Sequence, residues 1–373
     1  MMERTGKDAG TGRAFRVDNP ARRRRIARFK AACSGPLAMR GVVATLAIMM
    51  LAFSVAPLLN VARGVEFNKD YDLWQITGRI VLDGKDIYPT TPGLPYPFMY
   101  PPACATMLAT LAALPRGAFV AALLLLNSAA WTTCLVASVY LATGRLRGNH
   151  PALYLWPSIA VIPFVHDTYL LGQPALLLLA LLLGAFVCLR RGKPITAGAL
   201  IAVSAAIKAY PILAAGYLIY RKQWKAAAAM AATLAALMFI APLPFRTPAR
   251  IAEDCTLWVR GMLLKYDENS IAQRPDRAYS FKNQSVQATV HRLSRPVLAD
   301  GEADRRWRVN LLDLDFRSTT FVMLGAVASL GLLYLWATWR SGDLPPPADA
   351  IEQGLVVLLV LVLAPLSFNY SYV

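Results

Sequence analysis

Residues 41–72 read GVVATLAIMMLAFSVAPLLNVARGVEFNKDYD. The first 22 of them, 41–62, carry no charge. A bilayer's hydrocarbon core takes about 20 helical residues to cross, so 41–62 predicts a transmembrane helix. The same texture recurs. Further apolar runs lie near 101–115, 117–142, 151–166, 174–189, 195–219, 226–243, 319–338 and 352–370. Transmembrane strands would alternate in segments of about ten residues. These runs are long, Ala/Leu-rich and non-alternating, so the expected fold is all-α, a polytopic bundle of transmembrane helices. Composition agrees: 56% of the 373 residues are hydrophobic and 16% charged, against about 45–50% apolar and about 25% charged in soluble domains.

The net charge of +17 is uneven, with eleven Lys/Arg in residues 1–40, including Arg22, Arg23, Arg24 and Arg25. A basic arm suits nucleic acid in other settings. Here it directly precedes a span, so it reads as a cytoplasmic anchor against anionic lipid, with no nucleic-acid partner. Residues 1–40 are thus a basic arm and 41–373 the membrane domain. The five cysteines, Cys33, Cys104, Cys134, Cys188 and Cys255, have no metal-ligand spacing and imply no disulfide framework. No cleavable signal is evident.

Basic loops set the threading. Arg145/Arg147, Arg190/Arg191/Lys193 and Arg221/Lys222/Lys225 predict three cytoplasmic loops. The start of 41–62 is held inside, so 63–100 is expected outside, with Asp70 just above the outer interface. Residues 195–219 begin and end at cytoplasmic loops, yet two full crossings need about 40 residues. A hairpin of two short arms, bent near Lys208-Ala209-Tyr210-Pro211, is the expectation. Residues 101–115, bounded by prolines, read as a short arm in the outer leaflet. Five polar stretches then converge on the outer side: 63–100, His166 to Gln173, the bend at Lys208, the long loop 244–318 and Asn369-Tyr370.

Several residues in these stretches suit chemistry, each beside a plainer role. Leu73, Ile76, Ile80 and Val81 recur at helical spacing, predicting an amphipathic interfacial helix over 72–83. Asp70 or Asp72 would cap it, or serve as a base at its start. Lys208 is a cation at membrane depth, which marks function, unless it snorkels to an interface. Gln173, between Gly172 and Pro174, caps the following helix or donates to a polar ligand. Asn283, Gln284, Ser285, His291 and Arg292 form a stretch rich in hydrogen-bonding groups, either solvated or binding. His166-Asp167 reads as an interfacial pair.

Taken together, these stretches resemble the glycosyltransferase family 87 membrane proteins of the GT-C class. The resemblance runs through Asp70-Tyr71, Gly84-Lys85-Asp86-Ile87-Tyr88, Phe98-Met99-Tyr100-Pro101-Pro102, Gly172-Gln173, Ala197-Gly198 to Lys208, Arg221-Lys222-Gln223-Trp224, Asn283-Gln284-Ser285 and Ala364-Pro365-Leu366-Ser367-Phe368. Tyr370 stands where family members often carry a His, so no catalytic His is carried over. The family usually continues with further helices, which implies that the chain is cut short at Val373.

The resemblance implies a GT-C-like fold in a bacterial inner membrane, with the site on the periplasmic side. It implies an inverting transfer of a mannose-like or other hexose or pentose from a polyprenyl-phosphate donor to an extracytoplasmic glycolipid or glycan. Asp70 would be the general base. Lys208, Gln173, Tyr100, Asn283, Gln284 and Arg292 would bind substrate, with Lys208 and Arg292 on the leaving phosphate. No metal or other cofactor is implied. A transporter or flippase of a lipid-linked sugar, or a non-catalytic scaffold, would share the spans and the intramembrane lysine, but neither needs a carboxylate at 70. A transporter would also show repeated halves, and no internal repeat is evident.

Overall fold

The structure is a computed structural model, described for residues 35–88, 97–268, 278–299, 307–339, 345–368 and 371. The arginine run of the basic arm, Cys33, Asn369 and Tyr370 lie outside the described residues. Among those described, every regular element is helical. Four helices are long and apolar enough to cross a membrane: α1 (Pro36–Ala62), α4 (Arg116–Thr143), α13 (Phe316–Thr338) and α14 (Pro346–Leu363). Their outward faces are apolar; Leu37, Val43, Ile48 and Leu51 of α1 and Phe321, Leu332 and Trp336 of α13 are exposed. A helix apolar on its exposed face is solvated by lipid, not water.

Between α1 and α4 lie two short helices, α2 (Lys69–Leu82) and α3 (Pro102–Ala112), packed closely on one another. A Cβ at Gly78 would stand 2.9 Å from the Leu108 backbone, so this glycine sets their approach. α2 appears where the periodicity predicts, and Gly84 (φ +70°) follows its end. Its apolar residues pack into the bundle. Tyr71, Leu73, Trp74, Thr77, Ile80 and Val81 are all buried in protein. Its depth differs from the expectation. The Asn68 side chain donates to the carbonyl of Pro57 inside α1, so residues 63–68 double back. Asp70 therefore stands beside the last turns of α1 instead of above them.

The 11-residue α3 is about 16 Å long, too short to cross. Arg116, which follows it, donates to Val65 just past the end of α1. α3 thus stays at the end of the bundle where α1 finishes. The predicted run 151–166 is two helices, α5 (Ala152–Ala160) and α6 (Ile162–Leu171), separated at Val161 and flanked by Pro157 and Pro163. The chain then bends by 118° into α7 (Ala175–Arg190).

The run 195–219 breaks at Lys208. α8 (Pro194–Ile207) ends there, a short 3-10 turn spans Tyr210–Leu213, and α9 (Ala214–Tyr220) follows. Gly198 near the start of α8 packs on Ala226 and Met230 near the start of α10 (Trp224–Ala235). Since 198 and 226 lie at one level, the chain between them climbs and returns, which is the expected hairpin. A π-helical turn, Ala236–Ile240, prolongs α10. The long loop holds α11 (Pro248–Trp258) and α12 (Val286–Ser294), the latter packed on α13.

The basic loops gather at the other end, where α14 begins. Pro346 sits over Gly144; Arg190 pairs with Asp349 and Arg221 with Glu352. The last predicted run, 352–370, stops being helical at Leu363. Residues 364–368 are not helical, since Pro365 is poorly suited to a helix interior and the Ser367 backbone N–H donates to Asn283.

Candidate active site

At the end opposite the basic loops, a cavity of about 270 Å³ opens among α2, the α6–α7 bend, the Lys208 break, the end of α11 and the 363–368 segment. Asp70, Tyr100, Gln173 and Lys208 all line it. These four were separated by up to 138 positions in sequence, and the fold brings them to one wall.

Asp70 occupies the first turn of α2, at the helix end whose dipole favours an anion. The chain enters this turn through Lys69, which takes the left-handed conformation at φ +53°. Tyr71 and Trp74 tie α2 to the α6–α7 bend. The Tyr71 hydroxyl donates to the Tyr169 carbonyl (2.6 Å), and the Trp74 indole N–H to the Gly172 carbonyl (2.7 Å). Gly172 is required twice over. Its φ is +74°, and a Cβ would lie 2.9 Å from the Tyr71 ring. This clamp delivers Gln173, whose Nε2 donates to Asp70 Oδ2 and whose Oε1 lies 3.4 Å from the Tyr100 hydroxyl. The Gln173 side chain is therefore committed to the carboxylate, not to capping α7.

Lys208 is half-buried, and its backbone is extended (φ −146°, ψ 123°), which ends α8. Its Nζ stands 5.7 Å from the Tyr100 ring centre and 5.5 Å from that of Tyr210. Two aromatic faces favour a cation in a dry setting. The side chain thus turns into the cavity and does not snorkel away. Carboxylate, amide, phenol and ammonium share one small apolar chamber, an arrangement suited to a substrate with a hydroxyl and an anionic group.

Asp72 serves differently. It accepts the Asn68 backbone N–H and both arms of the Arg116 guanidinium, at 2.9 and 2.7 Å. It closes the helix start and lies off the cavity. Arg116 was not singled out from sequence; a lone arginine before an apolar run carries no signal of its partner.

Asn283, Gln284 and Arg292 do not line this chamber. Asn283 Nδ2 donates to the carbonyls of Ala278 and Pro365, and its Oδ1 accepts from Ser285 and Ser367. The backbone N–H of Gln284 donates to Ser367 O (2.7 Å). Arg292 donates to the carbonyls of Tyr279, Ser280 and Asn283, and burial lowers its pKa. This cluster fastens the 364–368 segment, one wall of the chamber, to α12. Beside it, buried His291 contacts the Tyr266 hydroxyl (2.8 Å), and burial first, then Arg295, pulls its pKa down to about 4.

Two further groups were not legible from sequence. Tyr210 and Trp258 line the cavity. In the long loop, Arg246 and Asp254 are a buried pair at 3.7 Å, and burial raises the Asp254 carboxyl despite Arg246 and Arg250. Among the described residues, no three His, Cys, Asp or Glu side chains gather as metal ligands would. His166 and Asp167 are 3.7 Å apart and half-exposed, with His166 edge-on to Phe53 of α1. They stand away from the chamber lining.

Comparison with curated proteins and with solved structures gives no match. A family model does match, that of glycosyltransferase family 87, over residues 98–365. The match takes in Tyr100, Gln173, Lys208, Asn283 and Arg292 but begins after Asp70. With most of its length matched and its chamber built largely from that stretch, the chain belongs to glycosyltransferase family 87.

Proposed function

We propose that the protein is an inverting, GT-C-type hexosyl- or pentosyltransferase of the bacterial inner membrane. Its donor is a polyprenyl-phosphate sugar and its acceptor an extracytoplasmic glycolipid or glycan hydroxyl. The observation that carries this reading is the chamber itself. Asp70, held by Gln173, and Lys208, held between Tyr100 and Tyr210, line one cavity at the level of the last turns of α1. An isoprenoid tail gains about 0.8 kcal/mol per buried CH₂. Such a donor stays in the bilayer, so its phosphate must be met at this depth.

In the reaction, an Asp70 oxygen takes the proton of the acceptor hydroxyl. The acceptor oxygen forms a bond to the anomeric carbon from the face opposite the phosphate. The bond from that carbon to the phosphate oxygen breaks, and the phosphate leaves with the electron pair. Lys208 offsets the leaving charge as a compact point charge. Gln173 holds the Asp70 carboxylate in orientation. The basic loops at the opposite end support an extracytoplasmic chamber. Incubation of membranes containing the full chain with labelled polyprenyl-phosphate mannose or pentose tests the reading. Labelled lipid or glycan product is expected. Transport of intact donor without any glycosidic product would overturn it.

A further inference from the structure

A second cavity, of about 200 Å³, lies behind the first, with Gln173 lining both. Its walls come from α2, α3, α4 and α7 and are apolar, among them Trp74, Leu108, Leu123 and Leu177. Leu126 at its rim is 40% exposed on the outside of the bundle, so the cavity opens sideways toward lipid.

One lining residue breaks the pattern. Asn127 of α4 is only 5% exposed and faces this cavity. Among the described residues its side-chain amide has no hydrogen-bond partner. It lies eleven residues into the span, about 16 Å along α4 from Arg116. A polar group at membrane depth is costly unless it is paired. The open amide in an apolar slot specifies its occupant: a chain that is hydrocarbon over most of its length and carries a hydrogen-bond acceptor. A polyisoprenoid offers no acceptor along its chain. A fatty acyl ester offers a carbonyl at its head.

We propose that this cavity seats one acyl chain of an ester-linked glycerolipid, with the ester carbonyl accepting from Asn127. On the reading above, which this extends, that lipid is the acceptor's anchor, and its head group passes Gln173 to reach Asp70. The first cavity is left to the donor phosphate and sugar.

The test compares a diester with its diether twin. The full chain, purified in detergent, is titrated with dioleoyl phosphatidylglycerol or its dioleyl ether analogue, and lipid adducts are read by native mass spectrometry. Wild type should bind the ester about five-fold tighter, the factor that a net hydrogen bond of about 1 kcal/mol gives. Asn127→Leu should remove that preference. Leu108→Trp, which fills the slot, should weaken both lipids. Equal binding of ester and ether by wild type would overturn the proposal, whether or not either variant folds. So would displacement of the ester by an uncharged polyprenol. Asp70→Asn should keep the five-fold ratio, so failure of this site and failure of the transferase reading are told apart.

Discussion

Gly198 permits a sharp prediction because its surroundings are backbone. A Cβ there would lie 2.1 Å from the Ala226 carbonyl oxygen and 2.8 Å from the Met230 nitrogen. A carbon–oxygen contact relaxes at about 3.3 Å, so Gly198→Ala must push α8 and α10 apart by roughly 1 Å. Overpacking of this kind costs about 1–3 kcal/mol. With helix backbone on both sides, the upper half of that range is expected. Gly184 is the control. It too is helical, but its Cβ would meet only the Leu200 Cδ1 at 3.5 Å, an ordinary contact. Both substitutions gain about 1 kcal/mol of helix propensity, so their difference isolates the contact. Thermal unfolding in detergent should show Gly184→Ala at or above wild type and Gly198→Ala several degrees below. Because α8 ends at Lys208, a shift of roughly 1 Å there should also cut sugar transfer by up to about 10²-fold. If Gly198→Ala melts with Gly184→Ala, the helices are not in this contact and the placement of Lys208 is wrong.

Other perturbations separate roles around the chamber. Asp72→Asn breaks a pair whose Arg116 partner is 30% exposed. Discounted for that exposure, the expected loss is about 1–2 kcal/mol of stability, read by melting, with transfer per folded molecule largely kept. Lys208→Met should raise the donor concentration needed for half-maximal transfer while leaving the melting temperature close to wild type. A charge pair at 4 Å is worth about 4 kcal/mol at an effective dielectric near 20, before desolvation. Unchanged donor dependence would remove Lys208 from the phosphate site. His291 is held neutral in the fold, its pKa near 4 against 6.5 when free. The unfolded chain therefore binds more protons between those values, and stability should fall as pH drops from about 6.5 toward 4, by at most about 3 kcal/mol. His291→Gln should flatten the difference in melting between pH 7.5 and pH 5.

The parts of this account that sequence could supply are those with local causes. A cation followed by Tyr-Pro inside an apolar run predicts a break at Lys208, and the break is there. Gly172-Gln173-Pro174 predicts a helix start, and α7 begins at Ala175; the need for glycine at φ +74° beside the Tyr71 ring shows only in the fold. The apolar runs predict the spans because lipid demands uninterrupted helix. What sequence could not give depends on distant partners. Asp70 sits lower than its distance from Ala62 suggests, because one bond from Asn68 to Pro57 folds the connection back. Asn283 and Arg292 have the side chains of a binding site but spend their hydrogen bonds on main-chain carbonyls and amides. A donor in a sequence does not say whether a ligand or the chain itself will accept. The division of labour between Asp70 and Asp72, two residues apart, was likewise decided by Gln173, which reaches Asp70 from 103 positions away, and Arg116, which reaches Asp72 from 44 positions away.

The central claim is that the Asp70 carboxylate takes a proton during transfer. Asp70→Asn is nearly isosteric and keeps an oxygen to accept from Gln173 Nε2, so folding should be preserved. An amide takes no proton at neutral pH. The direct measurement is the rate of sugar transfer from a labelled polyprenyl-phosphate donor by purified wild type and Asp70→Asn, at saturating donor and matched melting temperature. The account predicts a fall of about 10²-fold or more in turnover, with donor binding retained. Turnover within a few-fold of wild type would show that Asp70 only shapes the start of α2, and would contradict the mechanism.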